Sequence, residues 1–181
     1  CRREKTRSTI QIKPLYYLII YFFLLNSGDA LIFLSSLKII TFSDILLTMS
    51  TTKRVCIVGT GYLGTQIGLT CARNGYDVNL YDISRKALDI SEGKMGEYLE
   101  EWVEAGDISY ERSNKIRDRI RFTENLESSS YADIVIEAVV EDLEVKRSVF
   151  IELETIFSPE TIIATNSSSI RVSKIEKGME N

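Results

Sequence analysis

The chain has 181 residues, a length that favours one domain with some residues to spare. Its formal net charge of −4 is unevenly distributed, because residues 1–48 carry a net +3 and residues 49–181 a net −7. An acidic main body argues against non-specific nucleic-acid binding, which depends on Lys and Arg side chains that neutralise phosphates. The three cysteines show neither metal-ligand nor disulfide spacing, so we expect a reduced, intracellular setting and no metal site.

Residues 1–48 differ in character from the rest of the chain, which begins with Cys1 rather than methionine. After a basic start, residues 15–25 are all apolar or aromatic, and residues 30–47 are again rich in Leu, Ile and Phe. The first run is shorter than the about 20 residues that cross a bilayer, but it suits the apolar core of a signal peptide.

Three interpretations of residues 1–48 stay open: a genuine targeting or anchoring segment, an organelle leader, or an upstream extension of a protein that starts at Met49. The third interpretation predicts a cytoplasmic protein. Membrane attachment is expected only if the apolar segment is genuine.

From residue 53 onward, strand-like and helix-like segments alternate. Strands are predicted at 53–58, 77–81, 120–123, 132–138 and 161–165, and helices at 62–74, 84–105, 109–119, 143–157 and 169–177. Parallel strands need helical crossovers, so this order predicts an α/β fold of the Rossmann type. We expect residues 49–181 to form a doubly wound, mainly parallel sheet with an inserted helical pair after the second strand.

The first strand ends in a glycine loop, residues 59–64, with the sequence G-T-G-Y-L-G. Gly59 allows the tight turn out of the strand, Gly61 lets the backbone approach a pyrophosphate, and Gly64 lets the following helix pack closely. The N-terminus of that helix offers N–H groups and a partial positive charge to phosphates. Asp82, at the end of the second strand, is placed to accept hydrogen bonds from an adenosine ribose. The loop and Asp82 together predict a dinucleotide site.

The charge of Asp82 would repel a 2′-phosphate, so NAD is predicted as the cofactor rather than NADP. Arg85 and Lys86 follow closely, and a nearby Arg can accommodate that phosphate. An FAD site and an ordinary strand–helix turn are the other interpretations that the loop leaves open.

Two further motifs carry a family resemblance. Residues 132–146 read A-D-I-V-I-E-A-V-V-E-D-L-E-V-K, and residues 165–170, the serine motif, read T-N-S-S-S-I. Together with the glycine loop they closely resemble the NAD-binding domain of 3-hydroxyacyl-CoA dehydrogenases, over about residues 53–177.

The resemblance implies which residues contact the cofactor. Glu141 and Lys146 match the glutamate and lysine that lie against the nicotinamide half in the family. Val139 and Val140 are expected to line the same pocket, and Leu63 to face the pyrophosphate from within the glycine loop.

The resemblance also implies residues near the substrate. Ser168 matches the serine beside the nicotinamide and the substrate 3-hydroxyl, and Ser167 replaces the usual threonine. The helical pair after the second strand corresponds to a coenzyme A clamp. The serine and lysine that contact coenzyme A do not align with this chain, which has Glu97, Tyr98 and Ala105 around those positions.

The activity implied by the resemblance is oxidation of an L-3-hydroxyacyl-CoA to the 3-oxoacyl-CoA, with hydride transfer to NAD. Dehydrogenation of a related hydroxy acid (carnitine or a sugar acid) and a catalytically inert nucleotide-binding module are the alternatives. The family uses a His–Glu pair as base and orienting group, but this chain contains no histidine. The 181 residues by themselves are therefore expected to bind NAD without turnover. The resemblance also implies a helical C-terminal domain that forms a homodimer interface, and it is compatible with a mitochondrial location.

Overall fold

The computed structural model describes residues 13–14, 54–167 and 169–175. In chain order its strands are β1 (Lys13–Pro14), β2 (Arg54–Val58), β3 (Asp77–Tyr81), β4 (Ile120–Thr123), β5 (Ile134–Glu137) and β6 (Ile162–Thr165). Its helices are α1 (Tyr62–Arg73), α2 (Arg85–Glu104), α3 (Tyr110–Arg117), α4 (Leu143–Ile156) and α5 (Val172–Ile175). A 3₁₀ turn at Leu126–Ser129, which the residue pattern does not predict, precedes β5.

The strands form one sheet in the order β1-β6-β5-β2-β3-β4, and every strand pair in the described part of the chain is parallel. The chain leaves the central strand β2 towards β3 on one side, and later returns to its other side as β5. In open α/β sheets, ligands bind beyond the carboxyl ends of the strands at such a reversal. The predicted Rossmann-type topology is confirmed.

Local signals in the sequence set most of the helix ends. Ser84 caps α2 by accepting a hydrogen bond from the Ala87 N–H at 3.3 Å, the usual role of serine before a helix. Gly75, which follows α1, has a φ of 95°, a left-handed conformation that favours glycine.

The prediction for the last helix is wrong at its start. It was expected to begin at residue 169, whereas α5 begins at Val172. The cause lies in the serine motif, where Ser169 hydrogen-bonds to Glu141 and the Ile170 N–H donates to Ser167 Oγ. These bonds hold residues 169 and 170 in a bend instead of a helical turn.

The sheet is covered on both faces, and each face has its own core. Val55 and Ile57 of β2 point into the core shared with α1, α2 and α3, which includes Leu69, Met95 and Ile116. Cys56 and Val58 point the opposite way, into a core shared with α4 and α5. This alternation in one buried strand is the packing expected of a sheet wound on both faces.

Of residues 1–48, the structure describes Lys13 and Pro14, which pair with Ala164 and Thr165 of β6. The boundary predicted at Met49 lies outside the described residues and stays a prediction. Among the helices of the described ranges, none combines the length and the apolar character needed to cross a membrane.

Candidate cofactor site

The glycine loop is tightly packed at both ends and open in its middle. A Cβ atom on Gly59 would lie 2.8 Å from the Ala138 carbonyl oxygen, and one on Gly64 would lie 1.9 Å from the Gly59 carbonyl oxygen. A Cβ on Gly61 would meet no atom within 4 Å. The two outer glycines are therefore required by packing, whereas the open space at Gly61 fits the close approach of a pyrophosphate.

Helix α1 begins beside this open space. Gly61 is its N-cap residue, and among the described residues no side chain caps the helix. The first N–H groups of a helix need acceptors, and the aligned peptide dipoles place a partial positive charge there. An anion such as a pyrophosphate meets both requirements, so the loop and α1 fit this part of a dinucleotide.

Asp82 is held against the glycine loop by three donors. Its Oδ2 atom accepts hydrogen bonds from the Thr60 backbone N–H at 2.9 Å and the Thr60 hydroxyl at 3.1 Å. Its Oδ1 atom accepts from the Ser84 N–H at 3.0 Å. The carboxylate is half-buried and fixed in position, as an acceptor for ribose hydroxyls needs to be.

Arg85 is the candidate partner for a 2′-phosphate. Its side chain pairs with a carboxylate on its own helix. Its Nη2 atom lies 2.8 Å from Asp89 Oδ1, and both side chains are exposed. An exposed ion pair of this kind is weak, so the charge of Asp82, rather than the state of Arg85, is what favours a free ribose over a phosphorylated one.

A cavity of about 340 Å³ lies at the carboxyl ends of β5 and β6, beside the glycine loop. It combines apolar walls with polar groups from three segments, and its lining residues are Leu63, Ala138, Val139, Glu141, Lys146, Asn166 and Ser169. Four residues predicted from the family resemblance therefore line one cavity: Leu63, Val139, Glu141 and Lys146. Val140, predicted for the same pocket, is 66 % exposed beside it, and its contact with a cofactor stays a prediction.

Lys146 belongs to the first turn of α4, yet only 1 % of its side chain is exposed. Its ammonium lies 2.7 Å from Glu137 Oε1 and 3.2 Å from Glu141 Oε2. A charged group this deeply buried is tolerated because it is paired and hydrogen-bonded. Sequence spacing alone would place Lys146 on a surface helix, and the structure places it in the wall of the cavity.

Glu141 links the cavity to the serine motif. Its Oε1 atom accepts hydrogen bonds from the hydroxyls of Ser167 and Ser169. Partial burial alone would raise the pKa of the Glu141 carboxyl, but the serine hydroxyls and the Lys146 ammonium outweigh it and lower the pKa to about 2. Glu141 is therefore an anion at neutral pH.

Ser168 lies outside the described residues, so its predicted place beside the nicotinamide stays a prediction. Its neighbours Ser167 and Ser169 are both engaged by Glu141. The change from threonine to serine at position 167 keeps the hydroxyl that this contact uses.

Two residues that support the site have no role predicted from the sequence. Glu137 is fully buried at the end of β5, and Thr60 supplies two of the three hydrogen bonds to Asp82. A signal for Glu137 was present, since a carboxylate inside an apolar strand must find a partner. No comparable signal in the sequence points to Thr60.

Residues 54–181 match the family model described as 3-hydroxyacyl-CoA dehydrogenase, NAD binding domain. The chain is 34% identical over 123 residues to a 3-hydroxybutyryl-CoA dehydrogenase of Bradyrhizobium diazoefficiens, an alignment that covers 68% of this chain and 42% of the relative. It is 32% identical over 133 residues to the 3-hydroxyadipyl-CoA dehydrogenase of Escherichia coli K12, which covers 74% of this chain and 28% of that protein.

The chain is also similar to a solved structure. The 3-hydroxybutyryl-CoA dehydrogenase from Escherichia coli K12 superposes with a TM-score of 0.70 and 32% identity, over 72% of this chain and 28% of that chain. The chain thus spans less than half the length of the relatives it matches.

Proposed function

The chain belongs to the 3-hydroxyacyl-CoA dehydrogenase family through its NAD-binding domain, and we propose that it serves the oxidation of an L-3-hydroxyacyl-CoA to the 3-oxoacyl-CoA. NAD, the cofactor of this domain, accepts the hydride when bound. The observation that carries the proposal is the convergence of Leu63, Glu141 and Lys146 on one cavity beside the glycine loop.

The residues of this chain have distinct tasks in the proposed reaction. Gly61 and the N-terminus of α1 bind the pyrophosphate, and Asp82, fixed by Thr60, accepts hydrogen bonds from the hydroxyls of the adenosine ribose. Lys146 and Glu141 orient the nicotinamide end, and Val139 gives that cavity an apolar wall. Ser168 supports the substrate 3-hydroxyl.

In the family that the chain resembles, a histidine removes the proton from the 3-hydroxyl, and these 181 residues contain no histidine. Hydride transfer leaves a carbonyl only if the hydroxyl proton departs as well. We therefore expect the 181 residues to bind NAD and not to oxidise substrate by themselves.

An acyl-CoA substrate is supported by the names of the relatives, which act on 3-hydroxybutyryl-CoA and 3-hydroxyadipyl-CoA. Nothing in those names favours carnitine, a sugar acid or an inert module. A homodimer and a mitochondrial location stay predictions from the resemblance, and a cytoplasmic location stays a prediction from a start at Met49.

Calorimetric titration tests the proposal in two steps. NAD should bind the 181-residue chain, and NADP should bind at least about tenfold more weakly because of Asp82. With NAD present, 3-hydroxybutyryl-CoA should bind in preference to carnitine. Absence of NAD binding, or NADH production by this chain alone, would contradict the assignment of roles.

A further inference from the structure

Glu137 is a buried carboxylate to which neither the glycine loop nor the family resemblance assigns a role. It ends β5, and none of its side chain is exposed. It accepts hydrogen bonds from the Lys146 ammonium at 2.7 Å, the Thr165 hydroxyl at 2.6 Å and the Val139 N–H at 2.8 Å. The carboxylate therefore connects β5, β6 and α4 directly behind the cavity.

Lys146 depends on this carboxylate for its position. Its other carboxylate partner is Glu141, which is 43% exposed and lies farther from the ammonium, at 3.2 Å. Burial of an ammonium is costly without a close partner. The shorter, fully buried contact with Glu137 is the one that fixes Lys146 in the cavity wall.

The charges of these three groups do not cancel. Every hydrogen bond that Glu137 makes is accepted from a donor, and Glu141 likewise faces the ammonium, so the geometry is that of two carboxylates around one ammonium, a cluster with a net charge of −1. Lys146 and Glu141 line the cavity, and Glu137 lies behind Lys146 and accepts a hydrogen bond from its ammonium. Because part of the cluster is buried, water screens this charge less than it would at a surface.

We propose that Glu137 is a positioning residue for the nicotinamide end of the cofactor, and that it raises the affinity for NAD⁺ relative to NADH. The inference rests on the proposed function, which places the nicotinamide in this cavity. The nicotinamide ring carries a positive charge in NAD⁺ and none in NADH, so a net negative cluster stabilises the oxidised form selectively. Glu137 contributes the excess negative charge and also holds the ammonium that orients the ring.

The test compares wild type with Glu137→Gln, which keeps the size of the side chain and removes its charge. Dissociation constants for NAD⁺ and NADH are measured by calorimetry, and thermal unfolding is followed in parallel. The ratio Kd(NAD⁺)/Kd(NADH) should rise about tenfold, the order of magnitude expected when one charge is removed from a partly buried cluster near a cation. Glu137→Asp, which restores the charge, should return the ratio towards the wild-type value even if both cofactors bind more weakly.

A matched control removes the same charge elsewhere. Glu160 is exposed in the turn before β6, at the amino end of that strand, whereas the cavity lies at the carboxyl ends of β5 and β6. Glu160→Gln should leave the ratio unchanged. A purely structural role for Glu137 would weaken NAD⁺ and NADH binding equally, so an unchanged ratio in Glu137→Gln overturns the inference.

A second variant covers the case in which Glu137→Gln does not fold. Glu141→Gln removes one charge from the same cluster at a partly exposed position, and the ratio should rise here as well. A ratio equal to that of wild type overturns the inference while NAD binding, and with it the proposed function, still stands. If wild type binds neither NAD⁺ nor NADH, both the inference and the proposed function fail.

Discussion

Substitution of Gly61 by alanine separates the role of the glycine loop in binding from its role in folding. Gly61 has φ −62° and ψ −173°, an extended conformation that alanine adopts without strain. The added Cβ would meet no protein atom within 4 Å. It would, however, occupy the space in which a pyrophosphate approaches the N-terminus of α1.

Two small effects on stability oppose each other in Gly61→Ala. Loss of backbone freedom in the unfolded chain stabilises the folded state by about 0.4–1 kcal/mol, and alanine is a poorer N-cap than glycine by a similar amount. The free energy of unfolding should therefore change by less than about 1 kcal/mol, or about 4 °C in Tm. Loss of one hydrogen bond to a charged phosphate costs about 1.5–3 kcal/mol, which weakens NAD binding about 10- to 150-fold.

Gly64→Ala is the matched control within the same loop. Its Cβ would lie 1.9 Å from the Gly59 carbonyl oxygen, so the backbone must shift, at a cost of about 1–3 kcal/mol or more. Calorimetric titration with NAD and thermal unfolding measure both variants. The reasoning is refuted if Gly61→Ala binds NAD as wild type does, or if it loses as much stability as Gly64→Ala.

Three further predictions follow from single side chains. Asp82→Ala should weaken NAD binding about tenfold or more and reduce discrimination against NADP; calorimetry that shows unchanged affinity would argue against its ribose contact. Because the pKa of Glu141 is lowered to about 2 in the folded state, its contribution to stability is present above about pH 5 and is lost as the pH falls towards 2. Urea unfolding should show the difference between wild type and Glu141→Gln shrinking over that range, and a constant difference would contradict this origin. Burial raises the pKa of Cys56 and Cys71 to about 12, so both thiols should resist alkylation at pH 8 until the chain is unfolded, as peptide mapping by mass spectrometry can show.

The sequence was sufficient for features that depend on neighbouring residues. The residue pattern predicts β3 and β4 with their observed limits and places β2, β5, β6 and most helices within about two residues. Ser84 and Gly75 mark the ends of two helices because caps and left-handed turns are local requirements. Strand–helix alternation then leaves few topologies other than a parallel, doubly wound sheet.

The sequence misplaces the last helix because one of the two competing contacts joins residues that are distant along the chain. Ser169 and Glu141 are 28 residues apart, and only the pairing of β5 with β6 brings them together. Neither helix propensity nor hydrophobic periodicity contains that information.

What the sequence by itself determined is the glycine loop, Asp82 and the family motifs, since these consist of residue types at fixed spacings. What only the tertiary structure decided is how their side chains are held. Thr60 fixes Asp82 across 22 residues, and Glu137 holds Lys146 across 9 residues in the wall of the cavity. Both contacts depend on strand register and on the burial of charged groups, which exist only after the sheet has formed.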